Sequence, residues 1–343
     1  MPKVTVIMPV YNVEAFVADA VQSVLKQNFT DYELLIIDDM SPDGSIAICE
    51  CFDDPRIKII RHTENRGLAG ARNTGIRHAH GEYLAFLDSD DCWRDDKLSL
   101  HVAHLDNHPE VGVSFSRSAF INEDGTANNC YQMPKLKDIE AGYYLCRNPI
   151  GNGSAPVIRK EVFDDIKYTD NSRDKDQDWY FDENLRRSED IECWIRIMLI
   201  TNWVIEGIPE PLTLYRLNTG GLSAQLYRQL ESWEQVIEKT RRYAPAFVTK
   251  WENKARAYQL RYLARQAIRL HDGGMAAQFV HQALKTNLRI LTQEPGRTLL
   301  TIGAAYLLWF TPKRLYQSFE SIAQQMIGNI QARRIHGDLK SRI

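Results

Sequence analysis

The stretch Phe86–Asp91, FLDSDD, closes an apolar run, Leu84 to Leu87, with three carboxylates: Asp88, Asp90 and Asp91 around Ser89. Carboxylates this close repel one another, and burying them costs free energy unless a cation pairs them. Asp88 and Asp90 flank one small residue, so both can reach a single hard divalent cation, which prefers oxygen ligands. So few protein ligands leave room on the ion for water and a diphosphate. The competing reading is a turn or helix cap, where Asp is common. The position at the end of an apolar strand favours the metal.

Other residues suit a nucleotide beside such an ion. Asp38-Asp39 ends a second apolar run, and an Asp there can accept hydrogen bonds from a nucleobase imide or a ribose hydroxyl. Tyr11 offers a flat face for a base, and Pro9 shapes its turn. Turn chemistry competes equally, because DDMSPDGS is full of turn formers. NRGLAGARNTGI carries Gly67, Gly70 and Gly75 with Arg72 between them. Glycine allows close backbone approach and Arg suits a phosphate, but this is no dinucleotide fingerprint. Glu189-Asp190 opens an amphipathic helix marked by Ile191, Trp194, Ile195, Met198 and Leu199. Acids in a first turn complement the helix dipole; the functional alternative is Asp190 as a general base.

These residues need elements to hold them. Val4–Met8, Glu33–Ile37, Ile57–Ile60, Tyr83–Leu87 and Val111–Phe115 read as strands. Helical spacing of apolar residues runs from Phe16 to Leu25 and from Leu68 to Ala79. Such alternation implies an α/β fold with a mostly parallel, doubly wound sheet. Ligands of such sheets bind beyond the carboxyl ends of the strands, where the polar residues above sit. Residues 120–185 read as irregular. Beyond Gly220-Gly221 the chain looks all-helical, so a boundary is placed at 222, giving domains 1–222 and 223–343. Segment 252–290 reads as a helical hairpin around Asp272-Gly273-Gly274.

The 343 residues, 44% hydrophobic and 25% charged, fit a globular protein, and a net charge of -3 argues against bulk nucleic-acid binding. The scattered cysteines imply reduced, cytosolic thiols and no zinc site. The N-terminal apolar run reads as a strand and not as a signal peptide. No apolar run reaches the roughly 20 residues of a spanning helix. Residues 299–310 are apolar nearly all round, with Tyr306, Trp309 and Phe310 near Lys313-Arg314. They suit either a membrane interface or a helix buried against the hairpin, and the buried reading weighs slightly more.

Five segments, VTVIMPVYN, LLIIDDMSPDGS, NRGLAGARNTGI, YLAFLDSDD and SEDIECWIR, occur in the order and approximate spacing of the family 2 glycosyltransferases, and over about residues 3–222 the chain resembles them. That resemblance implies the GT-A fold and inverting transfer from a nucleotide-sugar. Pro9, Tyr11 and Asp39 match nucleotide-binding positions, Asp39 at the place that meets the uracil. Arg72 matches an Arg near the phosphates. Asp90 matches the ligand of Mn²⁺ or Mg²⁺, with Asp88 beside the ribose and metal, and Asp190 matches the catalytic base. Some relatives carry a metal-facing His in the loop after the base helix; here YRLNTGGLS has Asn218 and no His. The Gln-x-x-Arg-Trp motif and spanning helices of processive synthases are missing, so transfer of single sugars is expected.

By this analogy the donor is a UDP-sugar and the acceptor a glycan or a lipid-linked sugar of the bacterial cell envelope. The enzyme would work in the cytoplasm, with peripheral membrane contact through 299–314 left open. Three alternatives compete: a metal-dependent phosphohydrolase, a nucleotidyltransferase, and a scaffold with a degenerate transferase domain. A dehalogenase-type phosphatase also has Asp-x-Asp after a strand, but Gly-Thr normally follows there and Asp91-Cys92 follows here.

Overall fold

A computed structural model describes residues 1–169, 177–217 and 225–340. The boundary placed at 222 and the loop residue Asn218 lie outside the described residues. From the N-terminus come β1 (Val4–Val10), α1 (Val17–Leu25), β2 (Tyr32–Asp38), α2 (Ser45–Glu50), β3 (Ile57–Arg61), α3 (Gly67–His78) and β4 (Tyr83–Phe86). Then follow β5 (Cys92–Trp93), α4 (Lys97–Asn107), β6 (Val111–Ile121), β7 (Ala127–Gln132), α5 (Ala141–Arg147), β8 (Val157–Arg159) and α6 (Lys160–Ile166). After these come β9 (Tyr168–Thr169), β10 (Asp178–Trp179), α7 (Glu189–Ile200) and β11 (Val204–Arg216).

The sheet runs β3-β2-β1-β4-β8-β6-β11-β5, with β7 paired to β6. Its first four strands are parallel, as expected of strands linked by helices. β1 is buried along its whole length, so its sequence shows an unbroken apolar run without alternation. α1 turns Val17, Ala20, Val21 and Val24 inward at helical spacing. α3 lies so close to β1 that a Cβ on Gly75 would sit 2.3 Å from Ile7 Cγ2, which explains a glycine inside a helix.

The second half of the sheet departs from the expected pattern. β8 is antiparallel to both β4 and β6, while β6 and β11 are parallel. Residues 120–185, read as irregular, contain β7, α5, β8, α6, β9 and β10. A strand of three residues such as β8 is too short to show a period, yet its pairing to β4 fixes the loop just before it. β11 was also missed. It carries Pro209 and Pro211, and its pairing to β6 shifts register between Ile208, Pro211 and Thr213, as prolines require.

The described residues divide into two compact units. Residues 1–139, 149–169, 177–217 and 329–340 make the first; residues 140–148 and 225–328 make the second. The second unit contains α5, α8 (Leu226–Tyr243), α9 (Pro245–Arg269), α10 (Gly273–Thr286), α11 (Ile290–Gln293) and α12 (Pro295–Phe310). A long helix, α13 (Lys313–Lys340), follows, and its end belongs to the first unit, where Gln331 and the Tyr131 backbone exchange two hydrogen bonds. The hairpin around Asp272 is present as α9 and α10, with the Asp272 carboxylate accepting from Met275 N at 2.8 Å to start α10. Leu263, Ala264, Ala267, Phe279, Val280, Ala305 and Leu308 form that unit's core.

The buried reading of residues 299–310 describes only one face of α12. Thr298, Thr301, Ala305 and Leu308 are buried, but Leu300 is 65% and Phe310 75% exposed, with Leu299 and Trp309 also outside. The side chains of Lys313 and Arg314 lie outside the described residues. Among the described residues, no helix is long and apolar enough to cross a membrane.

Candidate active site

Arg72 ties together three elements that are distant in sequence. It projects from α3, is 2% exposed, and donates from Nη2 to Asp88 Oδ1 at 2.7 Å and from Nη1 to Glu189 Oε1 at 2.8 Å. Its guanidinium also stands 5.5 Å from the centre of the Phe181 ring. Burial opposes its charge, but Asp88, Glu189 and Asp190 more than offset that, so its pKa is held above the ordinary arginine value. One cation therefore joins the end of β4 to the first turn of α7.

The chain leaves β4 at a defined point. Leu87 N donates to Ile7 O at 3.0 Å, and the next donor of β1 on that side would be Pro9, which has no N–H. The ladder stops there and the chain is free to turn. Asp88 N donates to Ser154 Oγ at 2.9 Å, and Ser154 Oγ donates to Asp91 Oδ2 at 2.6 Å. Arg216, at the end of β11, donates its N–H to Asp91 Oδ1 at 2.9 Å and its Nε–H to Asp90 O at 2.8 Å. Asp91 is thus a buried strut, 1% exposed, with both oxygens engaged. Burial, then Asp90 and Asp88, push its carboxyl well above the usual range.

Asp88 keeps 24% of its side chain exposed, and Asp90 is partly exposed. Asp88 and Glu189 pair with Arg72, while the guanidinium of Arg216 is directed to Asp19 and to the backbone oxygens of Asp90 and Glu123. Two partly exposed oxygen donors in an acidic surround fit a hard divalent cation. Among the described residues, no group of three or more His, Cys, Asp or Glu forms a closed metal cage. An ion here would complete its shell with phosphate and water oxygens, as Mg²⁺ commonly does.

Asp39 is placed at the carboxyl end of β2 and is 3% exposed. Its carboxylate accepts from Arg66 N at 2.7 Å, Gly67 N at 2.8 Å and His62 Nδ1 at 2.8 Å, fastening the start of α3. The turn-and-cap reading thus accounts for its contacts within the protein. Tyr11 follows the last residue of β1 and is 51% exposed, with a free face beside the strand end. Asp39 N donates to Val10 O at 3.1 Å, so the ends of β1 and β2 stay together there.

α7 begins with Glu189, buried against Arg72, and Asp190, partly buried, whose Oδ1 accepts from Ile191 N at 2.8 Å. Burial pushes the Glu189 carboxyl up to about 7, with Arg72 opposing and Asp190 adding to the rise. Burial also raises Asp190, against the pull of Arg72 and of the Ile191 N–H, and Asp88 raises it further. Asp190 therefore lies within electrostatic reach of both Arg72 and Asp88.

Several organisers were not singled out from sequence. Ser154 and Gly153 lie in a segment that read as irregular, and Arg216 looks like a lone charge after an apolar run. Asn73, beside Arg72, accepts from Phe181 N at 2.8 Å and donates to Phe181 O at 2.9 Å, so it sets the aromatic ring under Arg72. Gly153 gives a direct test of the packing. A Cβ there would lie 2.1 Å from Arg72 Nη2 and 2.8 Å from Asp88 Oδ2. Gly153→Ala must displace that ion pair, so affinity for the nucleotide donor expected from the sequence should weaken by about tenfold or more, a loss on the order of 1.4 kcal/mol, in a UDP titration. Unchanged affinity would show that the pair is not part of the site.

Residues 5–167 match the sequence model described as glycosyl transferase family 2. TuaG of Bacillus subtilis, named for teichuronic acid biosynthesis, is 31% identical over 234 residues, covering 66% of this chain and 84% of TuaG. WfgD of Escherichia coli, named as a UDP-Glc:α-D-GlcNAc-diphosphoundecaprenol β-1,3-glucosyltransferase, is 43% identical over 102 residues, 30% of this chain and 40% of WfgD. Among solved structures, S. aureus TarS 1-349 in complex with UDP-GlcNAc superposes with a TM-score of 0.55 at 18% identity, over 98% of this chain and 92% of that one. The mannosyltransferase PcManGT of Pyrobaculum calidifontis, in complex with GDP-Man and Mn²⁺, gives 0.56 at 21% identity, over 96% and 86%. The structural likenesses speak to the fold: an α/β GT-A domain accompanied by C-terminal helices. The relative TuaG and the family match place the chain in glycosyltransferase family 2.

Proposed function

We propose that this glycosyltransferase moves one sugar from a nucleotide-sugar, a UDP-sugar first of all, onto a hydroxyl of a glycan or lipid-linked acceptor, with inversion at the anomeric carbon. The observation that carries this reading is the bridge through Arg72, which sets the carboxylates after β4 beside the first turn of α7. Asp88 and Asp90 would hold Mn²⁺ or Mg²⁺; when bound, the ion neutralises charge developing on the diphosphate leaving group. Arg72 supports the same charge. Asp190 accepts the proton of the acceptor hydroxyl as that oxygen attacks. A single displacement inverts the centre and needs one base. Tyr11 and Asp39, at the ends of β1 and β2, serve the nucleoside, with Pro9 shaping the strand end.

The UDP-GlcNAc complex of TarS supports a UDP-sugar donor, and the Mn²⁺ complex of PcManGT supports a metal. The diphosphoundecaprenol acceptor in the name of WfgD supports a lipid-linked acceptor in envelope polysaccharide synthesis. The exposed apolar face of α12 supports peripheral contact with the inner face of the cytoplasmic membrane. The test is calorimetric titration of UDP into the protein with Mn²⁺ and then with EDTA. Binding that needs the metal is expected; absence of binding by UDP, GDP and dTDP alike would overturn the reading.

The protonation state of Asp190 makes a further prediction. A base works only when ionised, so transfer rises with pH through its pKa. Because that pKa is raised, the acid limb of kcat/KM should lie above the ordinary Asp value of about 3.9. Burial raises the Glu189 carboxyl to about 7, so it is still protonated where that limb falls, and Glu189→Gln replaces a neutral acid by a neutral amide that keeps an acceptor for Arg72. The acid limb should therefore stay in place in the variant. A limb that moves by about a pH unit or more would show that Glu189, not Asp190, titrates in it.

A further inference from the structure

The second unit holds a group of arginines that the transfer site does not use. Arg147 ends α5, Arg261 and Arg265 stand one turn apart on α9, and Arg297 lies in the first turn of α12. The side chains of Arg147 and Arg261 are 10% and 4% exposed. Both guanidiniums stand over the Tyr258 ring, at 5.2 and 4.7 Å from its centre. Arg265 and Arg297 are exposed and form the open side of the group.

One carboxylate answers them. Glu294 Oε2 faces both Arg147 Nη2 and Arg261 Nη2, and Arg261 Nη1 donates to Thr298 Oγ1. Among the described residues, Arg265 and Arg297 have no carboxylate partner, and the buried Nε of Arg147 has no hydrogen-bond acceptor. The surplus is felt: burial, then Arg261, Arg297 and Arg265, bring the Arg147 guanidinium down to about 9. Like charges held this way in a folded unit call for an anion.

The surroundings indicate which anion. Guanidinium forks match phosphate oxygens, and several forks suit a group with many acceptors. Arg297 and Thr298 lie in the first turn of α12, where the helix dipole is positive. Leu299 and Leu300 follow on the same helix, 59% and 65% exposed.

We propose that Arg147, Arg261, Arg265 and Arg297 form a binding site for a phosphate group, monoester or diphosphate. Arg147 and Arg261 make its floor; Arg265 and Arg297 close over it. The group can arrive on a soluble molecule or on a lipid headgroup, whose chain would then meet Leu299 and Leu300.

The test uses the full chain and the exposed pair, Arg265→Glu with Arg297→Glu, because the buried arginines also support folding. Inorganic pyrophosphate is titrated in EDTA, and vesicles of phosphatidylcholine with and without phosphatidic acid are sedimented with the protein. Binding of at least one probe by the wild type, weakened about tenfold or more in the double variant, is expected. UDP binding with Mn²⁺ should be unchanged in that variant, which separates this site from the transfer site. Pyrophosphate binding alone assigns a soluble phosphate, and binding of phosphatidic acid vesicles assigns a lipid. If neither probe binds, or if binding is indifferent to both substitutions, the proposal is wrong. Each single variant serves as a second test should the double variant fold poorly.

Discussion

Asp90→Ala is expected to abolish metal-dependent binding of UDP and, with it, sugar transfer. The loop after β4 holds three acids, of which Asp88 and Asp90 are the two proposed to meet the ion. Asp91 is consumed by Ser154 and Arg216, and one oxygen of Asp88 by Arg72. Removing Asp90 therefore takes away one of the two carboxylates proposed to hold the ion. The remaining site is still acidic, with Asp88, Glu189 and Asp190 repelling a diphosphate. Losing an ion that stabilises transition-state charge costs several kcal/mol, so transfer should fall by about a thousandfold or more. The fold should survive, because the Asp90 carbonyl that receives Arg216 remains in the variant. The measurement is UDP calorimetry with Mn²⁺ beside a transfer assay, with a thermal melt as control. Wild-type affinity and turnover in Asp90→Ala would remove the metal assignment.

Asp190→Asn is expected to separate binding from chemistry. The substitution keeps size and the acceptor for Ile191 N, but it removes the proton acceptor. General-base catalysis is worth about a hundredfold to ten-thousandfold, and kcat should fall within that range. Donor affinity should change by less than about threefold, since Arg72 retains both Asp88 and Glu189 as partners. If Asp190→Asn turns over normally, another residue is the base. If donor binding collapses with kcat, Asp190 is holding the diphosphate site together instead.

Much of this was legible in the chain. The parallel strands β1, β2 and β4 are buried on both faces and show as apolar runs, and each ends in the polar residues that a strand-end site needs. The order of the five segments pointed to the family. The helices of the second unit, with the Asp272 cap between α9 and α10, also follow from local spacing. These features are local or periodic, so a linear reading finds them.

What only the tertiary structure decided is the division of labour among identical residue types. Asp88, Asp90 and Asp91 look alike in sequence, but β8 and β11 bring Ser154 and Arg216 onto Asp91 and make it a strut. Glu189 looked like a helix-dipole acid until Arg72 arrived from α3, across 117 positions, to bind it. The arginines of the second unit are scattered over α5, α9 and α12 and form a cluster only after packing. Composition and period say which elements form. The role of a charged side chain depends on which other charges the fold places within a few ångströms, and those come from strands too short or too irregular to announce themselves.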